Sequence, residues 1–233
     1  MSKFSRRDLL RLLPVGGIGA LLSGCGAGGL EEVIHEVWEP FNQRSEQLLF
    51  NPQKLAPEFP ESAIQPQELL VNTFRGTPLI DPARYQLSVA GAVAQPLVLT
   101  LADLKALQAK TMTIRHVCVE GWAAIVQWTG VPLREIARLA QPQPGVRYVY
   151  FESADGYYES WDLPSALHAQ TLLAYGKNGS DLPVDNGAPL RLASPIKLGY
   201  KQSKWVVGIR FLRDLPVTQG YWEDRGYEWY AGL

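Results

Sequence analysis

The sequence predicts an α+β fold, and three observations lead there. Short strand-like and helix-like segments alternate irregularly, without the strict strand and helix period of a doubly wound sheet. Glycine is frequent, with 21 in 233 residues, and no internal repeat or low-complexity stretch breaks up the body. At 46% hydrophobic and 19% charged residues the chain can bury a full core, which excludes a disordered or fibrous protein. Formal net charge is -1; without Lys3, Arg6, Arg7, Arg11 and Asp8 at the start the remainder stands at roughly -4. An acidic surplus with no basic stripe speaks against a nucleic-acid partner.

Residues 1–24 read as an export leader. Ser5-Arg6-Arg7-Asp8-Leu9-Leu10-Arg11 and the apolar, Pro14- and Gly-interrupted run up to Leu22 resemble a twin-arginine signal, with a basic helix start as the plainer alternative. Leu22-Ser23-Gly24-Cys25 is similar to a bacterial lipoprotein box, which implies cleavage before Cys25 and a diacylglyceryl group on its sulfur; the alternative is a small-residue cleavage site with an incidental cysteine. The run is too short and glycine-rich to span a bilayer, so the membrane is reached through a lipid anchor. The expected location is the periplasm or the outer side of the cell envelope.

Residues 25–68 are expected to hold a helix and a wrapping segment. Val33, Ile34, Val37, Trp38 and Phe41 recur at helical spacing up to about Leu49, and Pro52, Pro57, Pro60 and Pro66 then enforce an extended surface run. The body, residues 69–233, follows. Tyr85 to Val89 alternates as a strand, Thr100 caps a helix from Leu101 to about Ala109 with Asp103 in its first turn, and Thr111 to Val117 is β-branched. Pro132 opens a helix to about Ala140 with Leu133, Ile136 and Leu139 inward. Tyr148 to Glu152 and Tyr157 to Trp161 flank Ala154-Asp155-Gly156 as a hairpin. Asp162 and Pro164 start a short helix through His168, and strands follow near Leu190 to Ala193 and Trp205 to Leu212.

Chemistry concentrates around Cys118, one of only two cysteines and the one outside the leader. An exported protein uses cysteines in pairs, so a single one is a buried hydrophobe, a reactive thiol or a metal ligand. Its segment, Ile114-Arg115-His116-Val117-Cys118-Val119-Glu120-Gly121-Trp122, continues to Trp128-Thr129-Gly130-Val131-Pro132-Leu133. Further on stand Leu172-Leu173-Ala174-Tyr175-Gly176, then Leu182 to Arg191, then Pro195 to Trp205. From about Asn72 to Leu215 this set resembles the sulfite oxidase superfamily of molybdopterin enzymes, in particular the catalytic subunits of periplasmic protein-methionine-sulfoxide reductases.

That resemblance implies a sulfite-oxidase-type molybdopterin-binding fold of mixed sheets and short helices, with a molybdenum-molybdopterin (Mo-MPT) cofactor. It makes Cys118 the metal ligand and catalytic residue, a role suited to a soft thiolate kept deprotonated by the metal. It places Asn72, Arg75, Gly76, Ser153, Asn186, Arg191, Gln202, Ser203 and Lys204 at pterin-contacting positions. The residue types fit: Arg191 can fork onto a phosphate, Lys204 supplies a point charge, Asn186 reads a ring edge, Gly187 lets backbone approach, and Gln202 and Ser203 add donors. Asn72 aligns poorly, and Ser153 stands where relatives often have Thr. His116, Trp122 and Tyr200 read first as packing, with cavity lining as the alternative. Lys197 and Lys201 either attract an anionic substrate or stabilise the phosphate. Glu120 is given no acid-base role, because oxygen-atom transfer needs no obligatory general base.

The expected activity is oxygen-atom transfer of the sulfoxide-reductase kind on a small molecule or an oxidised side chain. A sulfite-dehydrogenase-like oxidation is the alternative, disfavoured because Val119-Glu120-Gly121-Trp122 replaces the arginine-bearing segment of sulfite oxidases. A cofactor-free binding lipoprotein is the reading from another class. No CxxCH haem motif is present, so electrons come from or go to a separate partner, a membrane haem protein or cytochrome.

Overall fold

The computed structural model describes residues 39–233. The expected leader, Cys25 and the first part of the N-terminal helix lie outside the described residues. Helix α1 (Glu39–Leu49) ends where the apolar spacing stops. The proline-rich run then lies along the body, its prolines having no ladder donors to give. The Gln170 amide clamps it, accepting from Ala56 N at 2.8 Å and donating to Ala56 O at 3.0 Å. Phe59 N donates to Thr113 O at 2.8 Å and Gln65 N to Ile125 O at 3.1 Å. This strap delivers residues 69–74 to the functional cavity.

Two five-stranded sheets form the body. The first runs β2 (Leu97–Thr100), β1 (Gln86–Gly91), β10 (Val206–Leu212), β5 (Tyr148–Ser153), β6 (Tyr158–Asp162), with β1 and β10 parallel and the other pairs antiparallel. The second runs β3 (Lys110–Val117), β4 (Ala123–Pro132), β7 (Leu172–Lys177), β8 (Ser180–Asp181), with β9 (Arg191–Ala193) also on β7. Alternation along each strand decides what it covers. Val149 and Phe151 of β5, Leu87 and Val89 of β1, and Ile209 and Phe211 of β10 face a core shared with Val131, Leu173 and Leu192. Leu172 and Ala174 point the other way into a second cluster with Met112, Ile114, Val126 and Trp128. The second sheet is therefore buried on both faces.

The helices are short. Thr100 and Asp103 form a reciprocal capping box on α2 (Leu101–Ala106), which stops three residues before the predicted end because Leu107 is already extended. Helix α3 (Leu133–Ala140) buries Leu133, Ile136, Ala137 and Ala140, while Leu139, expected inward, is only half-buried. Helix α4 (Leu163–Ala166) is capped by Asp162, whose carboxylate accepts from Ser165 N. Strands β2, β4 and β7 were not foreseen as strands. A run as apolar as β4 carries no period-2 signal, and at its bulge Gly130 is required because a Cβ would sit 2.1 Å from Leu173 O.

The C-terminal segment is pinned by buried charge. Lys201 Nζ donates to Glu159 and Glu223, each at 2.5 Å, with both carboxylates withdrawn from solvent. Burial holds the Glu159 carboxyl well above the usual carboxylate range, and the neighbouring Glu223 adds to this against the pull of Lys201. A neutral Glu159 beside a Lys201 and Glu223 pair balances the charge. Trp229 Nε1 donates to Ser160 Oγ at 2.9 Å, and Leu198 N to Ala231 O at 3.1 Å.

Removing the cation of such a cluster strands a buried carboxylate. Lys201→Met is expected to cost about 3–5 kcal/mol in urea unfolding, whereas Glu159→Gln, which keeps an acceptor, costs about 1 kcal/mol. Because the folded-state pKa of Glu159 is raised above its ordinary 4.5, the parent loses stability as pH rises from that value through the folded one. Glu159→Gln should flatten that fall, and an unchanged pH profile would contradict the charge assignment.

Candidate active site around Cys118

Cys118 sits at the tip of the β3 and β4 hairpin. Gly121 N donates to Cys118 O at 3.1 Å and Cys118 N to Trp122 O at 2.9 Å, closing a tight turn whose last residue, Gly121, has φ +92°. The thiol is thereby held at the wall of a cavity of about 460 Å³. Its Sγ lies 3.6 Å from Glu120 Oε2, and the same oxygen accepts from Trp122 Nε1 and Asn72 Nδ2, both at 3.0 Å. Those donors hold Glu120 below the usual carboxylate range, Trp122 first and Asn72 next, whereas burial chiefly pushes the Cys118 thiol up. A metal or cationic group at Sγ would reverse the latter.

Facing the turn is a cluster of cations. Arg191, 4% exposed, donates Nε to Leu192 O at 2.9 Å and a terminal nitrogen to Asn186 O at 3.0 Å, with its guanidinium 4.6 Å from the Trp128 ring. Lys177 Nζ donates to Asn186 Oδ1 at 2.8 Å. Lys204 Nζ donates to Asp185 O at 3.0 Å and also to Asn72 O. Among the described residues none of the three forms an ion pair with a carboxylate. Burial, with added repulsion from Arg191 at Lys204, lowers Arg191 to about 9 and Lys204 to about 8 and shifts Lys177 down as well.

Gly187 brings this cluster together. It has φ +111°, and a Cβ there would come within 3.0 Å of both Arg191 Cβ and Lys204 Cβ. His116 packs between Trp122 and Trp128, with ring centroids at 5.8 and 6.5 Å, and its Nδ1 is buried without a hydrogen-bond partner. Burial, then Arg191, depresses it to about 3, so the ring is neutral at physiological pH. Ser203 Oγ is likewise buried and unpaired. Gln202 lines the cavity, yet its amide is spent on backbone: Nε2 donates to Ser194 O at 2.8 Å and Lys197 O at 2.9 Å.

The cavity gathers Asn72, Cys118, Asn186, Arg191, Gln202, Ser203 and Lys204 from the sequence reading. Arg75 and Gly76 are exposed outside the lining, with Arg75 over the Phe74 ring at 4.8 Å. Ser153, also outside it, is buried with an unpaired Oγ at the end of β5. His116, Trp122 and Tyr200 line the cavity, while Lys197 and Lys201 do not. Lys197 is buried 3.3 Å from Asp162, and Lys201 belongs to the carboxylate cluster. Of the lining, Phe74, Asp155, Tyr157, Tyr221, Trp222 and Tyr227 were missed, as was Lys177, which is outside the lining and reaches the site through Asn186. The signal for Lys177 was a lysine closing an otherwise apolar strand; that for Tyr221, Trp222 and Tyr227 was the aromatic density of the C-terminal stretch.

Cations that form no ion pair among the described residues, unpaired buried donors and a thiol on one cavity wall fit an anionic cofactor that brings its own metal, with a single protein thiolate completing the coordination. Fold and site thus define a metal-dependent redox enzyme holding a phosphate-bearing prosthetic group. The chain belongs to the oxidoreductase molybdopterin binding domain family, whose model matches residues 74–222. It is a molybdenum-dependent oxidoreductase with Mo-molybdopterin as cofactor and the sulfite-oxidase-type fold.

A protein of Azospira oryzae described as a putative protein-methionine-sulfoxide reductase subunit YedZ1 is 38% identical over 232 residues, 97% of this chain and 87% of that one. The protein-methionine-sulfoxide reductase catalytic subunit MsrP of Xanthomonas campestris pv. campestris is 38% identical over 176 residues, 64% of this chain and 53% of its own. MsrP of Ralstonia nicotianae is also 38% identical, over 61% of this chain and 51% of its own. The chain spans about half the length of these MsrP proteins. In fold it is similar to the sulfane dehydrogenase SoxCD of Paracoccus pantotrophus, with TM-score 0.61 and 24% identity over 71% of this chain and 46% of that one.

Arg191→Ala and Lys204→Ala should each weaken cofactor retention by about 1.5–3 kcal/mol, the range for a charge-assisted bond. Lys177→Ala tests the residue that the sequence did not reveal, with the same sign expected. Molybdenum and pterin content after extensive dialysis measures all three. Loading of cofactor-free protein should also slow above about pH 8, where Lys204 loses its proton; a flat profile to pH 10 would remove Lys204 from the phosphate role.

Proposed function

We propose that this chain is the catalytic subunit of an exported sulfoxide reductase. The observation that carries the reading is Glu120, a carboxylate held ionised 3.6 Å from the Cys118 sulfur. A sulfite dianion entering the cavity beside it meets a like charge. A sulfoxide is neutral and meets no such barrier. The names of the MsrP relatives and of the Azospira protein support the same substrate class.

When bound, Mo-molybdopterin supplies the two-electron change that the reaction needs. Cys118 ties the metal to the fold, and Arg191, Lys204, Lys177 and Asn186 hold the phosphate and pterin edge, with Ser203 and the Gln202 turn beside them. Asn72 fixes Glu120 from the strap, and the neutral His116 shields the inner wall from water. Reducing a sulfoxide consumes two electrons and two protons and yields a sulfide and water. The protons come from solvent in the open cavity, and Glu120, held ionised beside Cys118, stays a fixed negative charge. The electrons come from a separate partner, a membrane haem protein or cytochrome. A twin-arginine leader and a lipid on Cys25 suit a periplasmic enzyme that receives its cofactor before export.

Purified protein should carry one molybdenum per chain and reduce sulfoxides with a reduced viologen as donor. Cys118→Ser should keep its near-ultraviolet dichroism and lose turnover; full activity in that variant, or sulfite oxidation faster than sulfoxide reduction, would refute the assignment. Cys25→Ser should release a soluble form that still binds molybdenum, and replacing Arg6 and Arg7 by Lys should leave the protein in the cytoplasm. Cell fractionation with mass spectrometry of the mature amino terminus reads both, and an unlipidated native terminus would sink the anchor alone.

A further inference from the structure

The cavity has two halves of different make. Its inner half, from His116 and Cys118 to Arg191 and the Gln202 turn, lies within the stretch matched by the family model, residues 74–222. Its mouth does not. Leu69 to Thr73 precede that stretch and Tyr227 follows it, while Tyr221 and Trp222 close it. The mouth is apolar and aromatic: Leu70, Val71 and Val119 are about half exposed, and Trp222 and Tyr227 show 37% and 38% of their surface. Such faces are left uncovered at a cost in water.

The rings are not loose. Trp222 lies 5.0 Å from Tyr227 and 5.2 Å from Tyr221, and Tyr227 lies edge-on to Tyr200 at 5.5 Å. Tyr200 Oη donates to Glu228 O at 2.6 Å, Tyr221 N to Tyr158 O at 3.1 Å, and Glu223, next to Trp222, is gripped by Lys201. Lys201 directly precedes Gln202. One buried ionic cluster therefore sets both the cofactor turn and the aromatic wall, so the wall stands at a fixed place relative to the cofactor.

We propose that Trp222 and Tyr227 are specificity-determining residues, forming a rigid aromatic wall that binds the apolar or aromatic substituent of the sulfoxide while its S–O group enters toward Cys118. This rests on the sulfoxide reading above. Neither ring touches the reacting atoms; each stacks on the part of the substrate that does not react, and soft sulfur beside aromatic edges adds to the contact. Lys201, Glu159 and Glu223 are positioning residues for the wall.

The test uses the molybdenum-loaded full chain and two probes, methyl p-tolyl sulfoxide and dimethyl sulfoxide. Binding is measured calorimetrically and turnover separately. The parent should bind the aryl sulfoxide on the order of tenfold tighter than dimethyl sulfoxide, and Trp222→Ala or Tyr227→Ala should erase that preference through Kd and KM rather than kcat. Trp222→Phe should restore most of it, which a fold defect would not. Molybdenum content should stay that of the parent in all three variants. Equal affinity of the parent for both probes, or a preference that survives in both alanine variants, overturns the wall. If the preference is seen and lost as stated but neither probe is reduced, the wall stands and the sulfoxide-reductase reading falls.

Discussion

Everything in the site follows from a buried guanidinium with no carboxylate to face. Arg191 is shielded by β-sheet and by Trp128, and its own backbone contacts satisfy only part of its fork. An unpaired buried charge is tolerated only where something else completes it. Lys177 and Lys204 raise the same demand beside it, and burial first, then repulsion from Arg191, lowers the proton affinity of both. The fold contributes rigidity: Arg191 opens β9, Lys177 closes β7, and those strands are hydrogen-bonded neighbours. The cofactor's negative charge is what the cluster lacks.

Among the described residues two groups of cations behave oppositely, and the contrast separates structure from function. Lys201 and Lys197 are as buried as Arg191, yet each has carboxylates in contact, and neither reaches the cavity. They close their own charge and anchor segments. The functional cations are the ones left open. Burial alone would have chosen Lys197 and Lys201; Arg191 is the buried cation of the cavity that forms no ion pair among the described residues.

Much of this was legible in the sequence, for physical reasons that can be named. Cys118 stood out because it is the one cysteine outside the leader, and Asn186, Gly187 and Arg191 because an amide, a glycine and a guanidinium in one short run suit a phosphate-bearing group. The capping box at Thr100 and Asp103 and the hairpin around Gly156 are local devices that short windows contain. What stayed hidden depends on pairing across long separations. Nothing near Lys201 predicts that Glu159 and Glu223 converge on it from 42 and 22 residues away. Nothing near Arg75 shows that it lands outside the cavity, and β4 reads as featureless because both its faces are buried.

Asn72 shows how the periphery is coupled to the centre. It stands on the strap, fixed upstream by the Gln170 clamp, and it makes two unlike contacts: its amide donates to Glu120 beside the metal-ligand position, and its carbonyl accepts from Lys204 in the cation cluster. The strap therefore reads both ends of the cofactor site at once. Lys204 has a third donor besides those on Asn72 O and Asp185 O, and a phosphate, which binds an ammonium about twice as strongly as a neutral carbonyl, would compete for all three. Cofactor arrival should then draw Lys204 away from Asn72 O while leaving the bond to Glu120, so that the strap turns about its amide contact. The mouth built by Leu70 and Val71 would take its final shape only in the loaded protein, which places assembly of the substrate entrance after cofactor insertion.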